Sequence, residues 1–179
     1  PLNSVRVGAV VRRDEGKSGI PYDGSRRSLH RETTHETTTL SVPVSVALGG
    51  TTIEAAALFS KDRPTLSDPE DPYGFTRADT DSSRTGARLT ASRSFGPIRL
   101  SAGADWERTL VFNEDSYGLE LDDLTTRTWS LFAEGRATLV DGRLVATLGV
   151  RRDDHSAFGG HTSPRVTVSY RPAAALKLR

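Results

Sequence analysis

This chain of 179 residues lacks several features that define common protein classes. It has no cysteine, which excludes a disulfide scaffold, a cysteine metal site and a thiol nucleophile. No apolar run approaches the ~20 residues of a membrane-spanning helix, so an α-helical membrane protein is excluded. The formal net charge is only +1 and the basic residues are scattered, so nothing indicates nucleic-acid binding.

Catalytic and nucleotide-binding motifs are missing as well. Serine, histidine and aspartate all occur, but no G-x-S-x-G elbow places them for catalysis. The sequence has neither a P-loop nor the glycine fingerprint of a dinucleotide site. We therefore expect no enzymatic activity and no cofactor.

What the chain does contain is a regular alternation of apolar and polar residues. It is clear in Leu144–Arg151 and Arg165–Arg171, which flank a polar, glycine-containing stretch at 152–164. A period of two is the signature of a β-strand with one apolar and one polar face. The same alternation recurs at Ser4–Arg12, Leu40–Leu48, Thr52–Ser60, Arg84–Phe95, Ile98–Glu107 and Thr128–Leu139. The sequence thus predicts an all-β protein of about eight strands, with a ninth beginning at Leu176.

The connections between these strands alternate in length. Short turns are predicted at Gly49-Gly50, Gly96-Pro97, Asp141-Gly142 and Pro172–Ala174, and long polar loops at about 13–36, 61–83, 108–127 and 152–164. Soluble β-sandwiches mix their loop lengths without such order. An antiparallel up-and-down meander with short periplasmic turns and long extracellular loops is typical of a transmembrane β-barrel. The mean hydropathy of −0.44 is compatible with this fold, because alternate residues cancel.

Aromatic residues mark both ends of the predicted apolar face. Phe59, Trp106 and Trp129 lie near the long-loop ends of their strands, whereas Phe95 and Tyr170 lie near the short-turn ends. Two aromatic bands around an apolar belt are expected at the two interfaces of a membrane barrel. The alternative is that these aromatics cap a soluble core.

The opposite face of the predicted strands is rich in charge. It carries Arg88, Arg99, Asp105, Glu107, Glu134, Arg136 and Arg151. So many charges are tolerated only where the face is wet or meets another polar surface. This face is therefore predicted to line a barrel lumen, with the solvent side of a soluble sheet as the alternative.

One hairpin carries a family resemblance. Residues Leu148 to Arg165, LGVRRDDHSAFGGHTSPR, resemble a recurrent hairpin of TonB-dependent outer-membrane receptors, the siderophore and cobalamin receptor family. Val166–Pro172, VTVSYRP, looks like its usual continuation, and GIPYDG at Gly19–Gly24 is similar to loops of the same family. In the hairpin the resemblance rests on sequence motifs. In the rest of the chain it rests only on the pattern of strands and loops. It implies a barrel of about 22 strands that encloses a plug domain.

The resemblance implies a location in the bacterial outer membrane and energised uptake of a metal chelate, such as a ferric siderophore or cobalamin. The implied partners are outer-membrane lipid, the chelate, a plug domain and a TonB-type energy transducer. Neither a plug nor a transducer-binding segment is recognised in the sequence. Residues 1–179 are therefore expected to be a partial barrel domain, either an internal segment of a longer receptor or an aberrant gene fragment.

Two other functions stay open at this point. The chain could be a self-contained eight-stranded outer-membrane barrel with a structural or adhesion role, because eight strands can close. It could also be a soluble β-sandwich that acts as a binding module.

Two loops contain candidate ligand residues. Asp153, Asp154, His155, Phe158 and His161 are predicted to contact the chelate from an external loop, although their spacing matches no zinc pattern and a solvated loop is the alternative. A second, acidic loop contains Asp62, Asp68, Glu70, Asp71, Asp79 and Asp81. Its spacing is not that of an EF-hand, so a solvated loop is preferred to a calcium site.

Overall fold

The computed structural model describes residues 2–23, 26–118, 120–173 and 176–178, and their regular secondary structure is entirely β. The strands are β1 (Leu2–Val7), β2 (Val10–Gly19), β3 (Tyr22–Asp23), β4 (Arg26–Arg27), β5 (Glu32–Leu48), β6 (Thr51–Asp62), β7 (Thr65–Ser67), β8 (Arg77–Phe95), β9 (Ile98–Asp115), β10 (Glu120–Leu139), β11 (Leu144–His155), β12 (Gly159–Ala173) and β13 (Leu176–Leu178). Among these residues, no helix has the length and hydropathy that crossing a membrane requires.

Eleven of the strands form one antiparallel sheet in which neighbours in sequence are mostly neighbours in space. Nine lie side by side in the order β1-β5-β6-β8-β9-β10-β11-β12-β13. β2 continues beyond β1 along the same edge of β5, and β7 pairs with the ends of β5 and β8. This arrangement confirms the predicted meander, including the ninth strand. Over the described residues, β1 and β13 do not pair with each other, so the sheet is open.

The short turns lie where glycine was expected to make them. Leu48 pairs with Thr51, so Gly49 and Gly50 form a two-residue turn, with φ of 54° and 81°. Positive φ at both central residues matches the twist of a hairpin and costs glycine little. The turn predicted at Asp141-Gly142 is longer than two residues, because Leu139 pairs with Leu144. The last predicted turn, Pro172–Ala174, falls partly outside the described residues, although Ala173 pairs with Leu176.

The predicted bounds of the long loops are wrong, because most of those residues are paired strand. β9 and β10 are separated by residues 116–119 alone, and β11 and β12 by residues 156–158. Beyond the aromatic band both faces of a strand meet water, so the alternation that marks a strand disappears. The backbone ladder continues there, supported by polar cross-strand pairs. Thr80 Oγ1, for example, donates to Asn113 Oδ1 at 2.7 Å.

The apolar face of the sheet covers no protein core. Residues directly opposite each other in the register share a face, and on this face Leu89, Leu131 and Leu148 are 51%, 63% and 66% exposed. No hydrophobic side chain is buried among the described residues. A soluble sandwich would bury these side chains between two layers. The arrangement therefore favours lipid as the solvent of the apolar face and disfavours the soluble β-sandwich.

Candidate functional site

The polar face carries a set of ion pairs centred on Asp105 of β9. Arg88 lies directly opposite on β8, and its Nε donates to Asp105 Oδ1 at 2.6 Å. Arg151 on β11 reaches across β10, and its Nη1 donates to Asp105 Oδ2 at 3.0 Å. The Asp105 side chain is only 15% exposed, because the two guanidinium groups enclose it. One carboxylate thus links three strands.

The same contacts extend to the outer end of the sheet. Arg151 Nε donates to Asp153 Oδ1 at 2.8 Å, and the same oxygen accepts a hydrogen bond from Ser130 Oγ at 2.5 Å. Ser130 is buried beneath this contact, with 2% of its surface exposed. We call Arg88, Asp105, Ser130, Arg151 and Asp153 the ion cluster. The alternation in sequence placed these charges on one face, but the pairing across β10 depends on strand register and was not predicted.

The ion cluster is expected to stabilise the sheet through Asp105. Asp105→Asn would leave Arg88 and Arg151 facing each other without the charge that holds them, at a cost of about 1–2 kcal/mol of unfolding free energy, between the values for exposed and buried pairs. Glu107→Gln is the matched control, because Glu107 pairs with Arg84 and is more exposed, at 37%. Its cost should stay below about 1 kcal/mol. Guanidinium unfolding in lipid vesicles measures the unfolding free energy of both variants. Equal losses would contradict a stabilising role of the ion cluster.

The structure divides the five predicted ligand residues between three locations. Asp153 and His161 are direct partners in the register of β11 and β12, and they lie on the polar face. His155, two residues after Asp153, lies on the same face at the outer end of β11. Asp154 instead lies on the outer face of the sheet, opposite Trp129. A strand sends successive side chains to opposite faces, so these consecutive acidic residues cannot share one site.

Phe158 occupies the turn at the tip of this hairpin. Its side chain is 88% exposed, and its ring lies 4.7 Å from the ring of His155. The backbone N–H of Ala157 donates to His155 Nδ1 at 3.1 Å, which leaves Nε2 as the nitrogen available to a ligand. The hairpin thus presents an exposed aromatic ring beside an imidazole edge, above the polar face.

The acidic residues of the second loop are occupied by donors of the protein itself. Thr37 donates to Asp62 at 2.6 Å, and the backbone N–H of Tyr73 donates to Asp71 at 2.6 Å. Asp68 is fully buried and accepts from Ser28 Oγ at 3.3 Å. Within the described part of the chain, no three His, Asp or Glu residues converge as a metal site would require. This arrangement does not fit a calcium site.

Two aspartates of the outer β8 end, Asp79 and Asp81, have lowered pKa values. The pKa of Asp79 is lowered chiefly by the hydrogen bond from Arg77, with a further one from Thr65. Burial raises the pKa of Asp81, but hydrogen bonds from Lys61 and Arg63 outweigh it, so this pKa is lowered as well. A carboxyl group whose pKa is lower in the folded than in the unfolded protein stabilises the fold at pH values above its unfolded pKa. This contribution to stability is lost as the pH falls through the folded pKa. These pairs therefore weaken only under acidic conditions.

The family model described as TonB dependent receptor-like, beta-barrel matches residues 4–179. No curated protein sequence matches the chain.

Several solved structures share the fold. BauA, the ferric preacinetobactin receptor from Acinetobacter baumannii, has a TM-score of 0.70 at 13% identity over 96% of this chain and 36% of its own. A mutant of PfeA, the ferric enterobactin receptor from Pseudomonas aeruginosa, has a TM-score of 0.72 at 16% identity over 96% and 29%. The ferric citrate transporter FecA has a TM-score of 0.67 at 10% identity over 97% and 32%. The chain thus spans about a third of the length of each.

The family match confirms the resemblance read from the hairpin at 148–165. It also confirms two predictions that depend on it, a location in the bacterial outer membrane and a role other than that of an enzyme. The lipid-facing apolar belt and the charged opposite face agree with the location in the outer membrane. The chain belongs to the TonB-dependent receptor family and lies within its β-barrel.

Proposed function

We propose that the chain forms part of the barrel wall of a receptor that takes up a metal chelate by energised transport. The family match over residues 4–179 is the observation that carries the proposal. The structural relatives BauA, PfeA and FecA are by name a ferric preacinetobactin receptor, a ferric enterobactin receptor and a ferric citrate transporter. A ferric chelate, such as a ferric siderophore, is the substrate class that the names of these relatives support. Cobalamin stays an alternative that only the sequence resemblance implies.

The open sheet supports a place in a larger barrel. In lipid, each unpaired backbone group at a strand edge costs several kcal/mol, so a membrane sheet has to close. We propose that further strands of a longer receptor complete the barrel, that a plug domain occupies its lumen and that a TonB-type transducer supplies the energy. A self-contained eight-stranded barrel would require β1 to pair with the last strand, and the described residues give no such pair.

The outer end of the β11–β12 hairpin is the proposed chelate contact. His155 and His161 lie on the lumen side, and the exposed Phe158 ring stacks beside His155. Asp153 connects the two histidines with the rest of the ion cluster, because it accepts hydrogen bonds from Ser130 and Arg151. Asp154 lies on the opposite face and is left out of the proposed contact.

This proposal is tested by the uptake of radioactive ferric chelate into iron-starved cells. In these cells, the receptor that carries this chain is the sole uptake route. His161→Gln and Phe158→Ala should weaken chelate binding about tenfold, the effect of losing ~1.4 kcal/mol of contact. Asp154→Asn is the matched control on the outer face and should leave uptake unchanged. A lack of uptake by the unmodified receptor would overturn the transport function, and equal effects of all three variants would overturn the assigned contact.

A further inference from the structure

Two arginines face each other at the inner end of the polar face. Arg99 on β9 is the direct partner of Arg136 on β10, close to the turn at Gly96-Pro97. Directly opposed residues of an antiparallel pair have their Cβ atoms only about 4.5–5.5 Å apart, and like charges there destabilise the pair. Such a pair calls for a negative group that offsets the repulsion.

Several other arginines of this face have a carboxylate partner. Arg84 contacts Glu107, and Arg88 and Arg151 share Asp105. Arg165 lies 4.0 Å from Glu134. Among the described side chains, no carboxylate lies within ion-pair distance of Arg99 or Arg136. Arg6 and Arg171 also lie on this face without such a partner, but among its described residues Arg99 and Arg136 are the two arginines that oppose each other directly.

The surroundings of the pair leave room for a ligand group. A cavity of about 410 Å³ is lined by Arg99 and Arg136, together with Ser94, Gly96, Pro97, Ile98 and Thr138. Arg99 Nη2 donates to Ser92 Oγ at 2.9 Å, which orients its guanidinium. Both arginines are exposed, and the side chains beside them in the register are the neutral Ser94 and Thr147. The site thus combines two positive charges, hydroxyl groups and open space.

We propose that Arg99 and Arg136 dock an acidic peptide segment that lies in the lumen. Guanidinium groups bind carboxylates through paired, charge-assisted hydrogen bonds, and two adjacent ones match a Glu- or Asp-containing stretch. The position near the inner turns places this contact at the periplasmic end of the wall. The inference rests on the proposed function only in that the polar face encloses a lumen.

Binding of a fluorescein-labelled Glu-Gly repeat peptide to the full chain in detergent micelles tests this inference, with a Gln-Gly peptide of equal length for comparison. The double variant Arg99→Gln/Arg136→Gln should weaken binding of the acidic peptide by at least about tenfold, or ~1.4 kcal/mol. The matched control is Arg93→Gln/Arg143→Gln. It removes the same charge from the same end of the sheet, but Arg93 lies on the outer face over the Phe95 ring and Arg143 in a turn.

Three outcomes would overturn the inference: equal loss in both double variants, equal binding of the Gln-Gly peptide, or displacement of the acidic peptide by free glutarate at the same carboxylate concentration. The last would show that the pair serves a small anion instead. Arg99→Lys/Arg136→Lys keeps both charges and should retain most of the binding, which separates loss of charge from loss of fold. Because the measurement uses no chelate, its failure is distinguishable from a failure of uptake.

Discussion

Replacing Leu89 with arginine should lower the unfolding free energy of the protein in lipid vesicles by about 2–4 kcal/mol, the cost of an arginine facing the middle of a bilayer. Leu89 is half exposed on the apolar face and lies between Ala55 and Ala104 in the register. It lies well inside the belt bounded by Trp106 and Phe95. An arginine there can reach water only by bending its long side chain toward an interface.

Thr90→Arg is the matched control, since the adjacent residue points to the polar face. Thr90 lies opposite Glu54, so a new arginine there gains a carboxylate neighbour and should change the stability by less than about 1 kcal/mol. Guanidinium titration in vesicles of brominated lipid provides the measurement. Both tryptophans of the chain lie on the outer face as direct partners, so the lipid quenches them only when the sheet is inserted. Equal costs for the two variants would mean that the apolar face does not meet lipid.

The faces of the sheet could be predicted from the sequence because lipid and water impose opposite requirements on alternate residues. In β9, Ile98, Leu100 and Ala102 on the apolar face alternate with Arg99, Ser101 and Gly103 on the polar one. This contrast extends over the whole apolar belt, and it predicted the order of the main strands and the orientation of their faces. It did not separate β1 from β2, and it did not predict β3, β4 or β7. It also separated residues that are adjacent in sequence, although its consequence for Asp153 and Asp154 was not drawn from the sequence.

Two kinds of feature could not be predicted from the sequence. They are strand ends whose two faces meet the same solvent, and side-chain contacts that depend on strand register. The outer parts of β8 and β9 have water on both sides, so Thr80 and Asn113 give no periodic signal although they are paired. The contact between Arg151 and Asp105 spans two strands and requires the register of both hairpins at once. A single sequence specifies that such charges share a face, but not which of them meet.

Gly103→Ala should lower the unfolding free energy by about 3 kcal/mol, the upper end of the range for overpacking. The alternation of apolar and polar residues gives no sign of this packing constraint. A Cβ atom at this position would lie 2.4 Å from the carbonyl oxygen of Leu89 and 2.6 Å from Cζ of Phe132. Phe132 is a large apolar residue on the polar face, and it lies where Gly103 leaves space on the neighbouring strand. The glycine thus accommodates an aromatic ring within an otherwise polar wall.

Gly135→Ala is the control, because its Cβ would meet only Cδ2 of Leu100, at 3.4 Å, and that flexible side chain can move. The control should cost less than about 1 kcal/mol, the usual effect of a substitution that meets no rigid neighbour. Adding Phe132→Ala to Gly103→Ala should recover only part of the loss, since the clash with the Leu89 carbonyl persists. Guanidinium unfolding of the single and double variants measures this coupling. Complete recovery would show that the ring alone restricts this position, whereas no recovery would assign the whole cost to the backbone of β8.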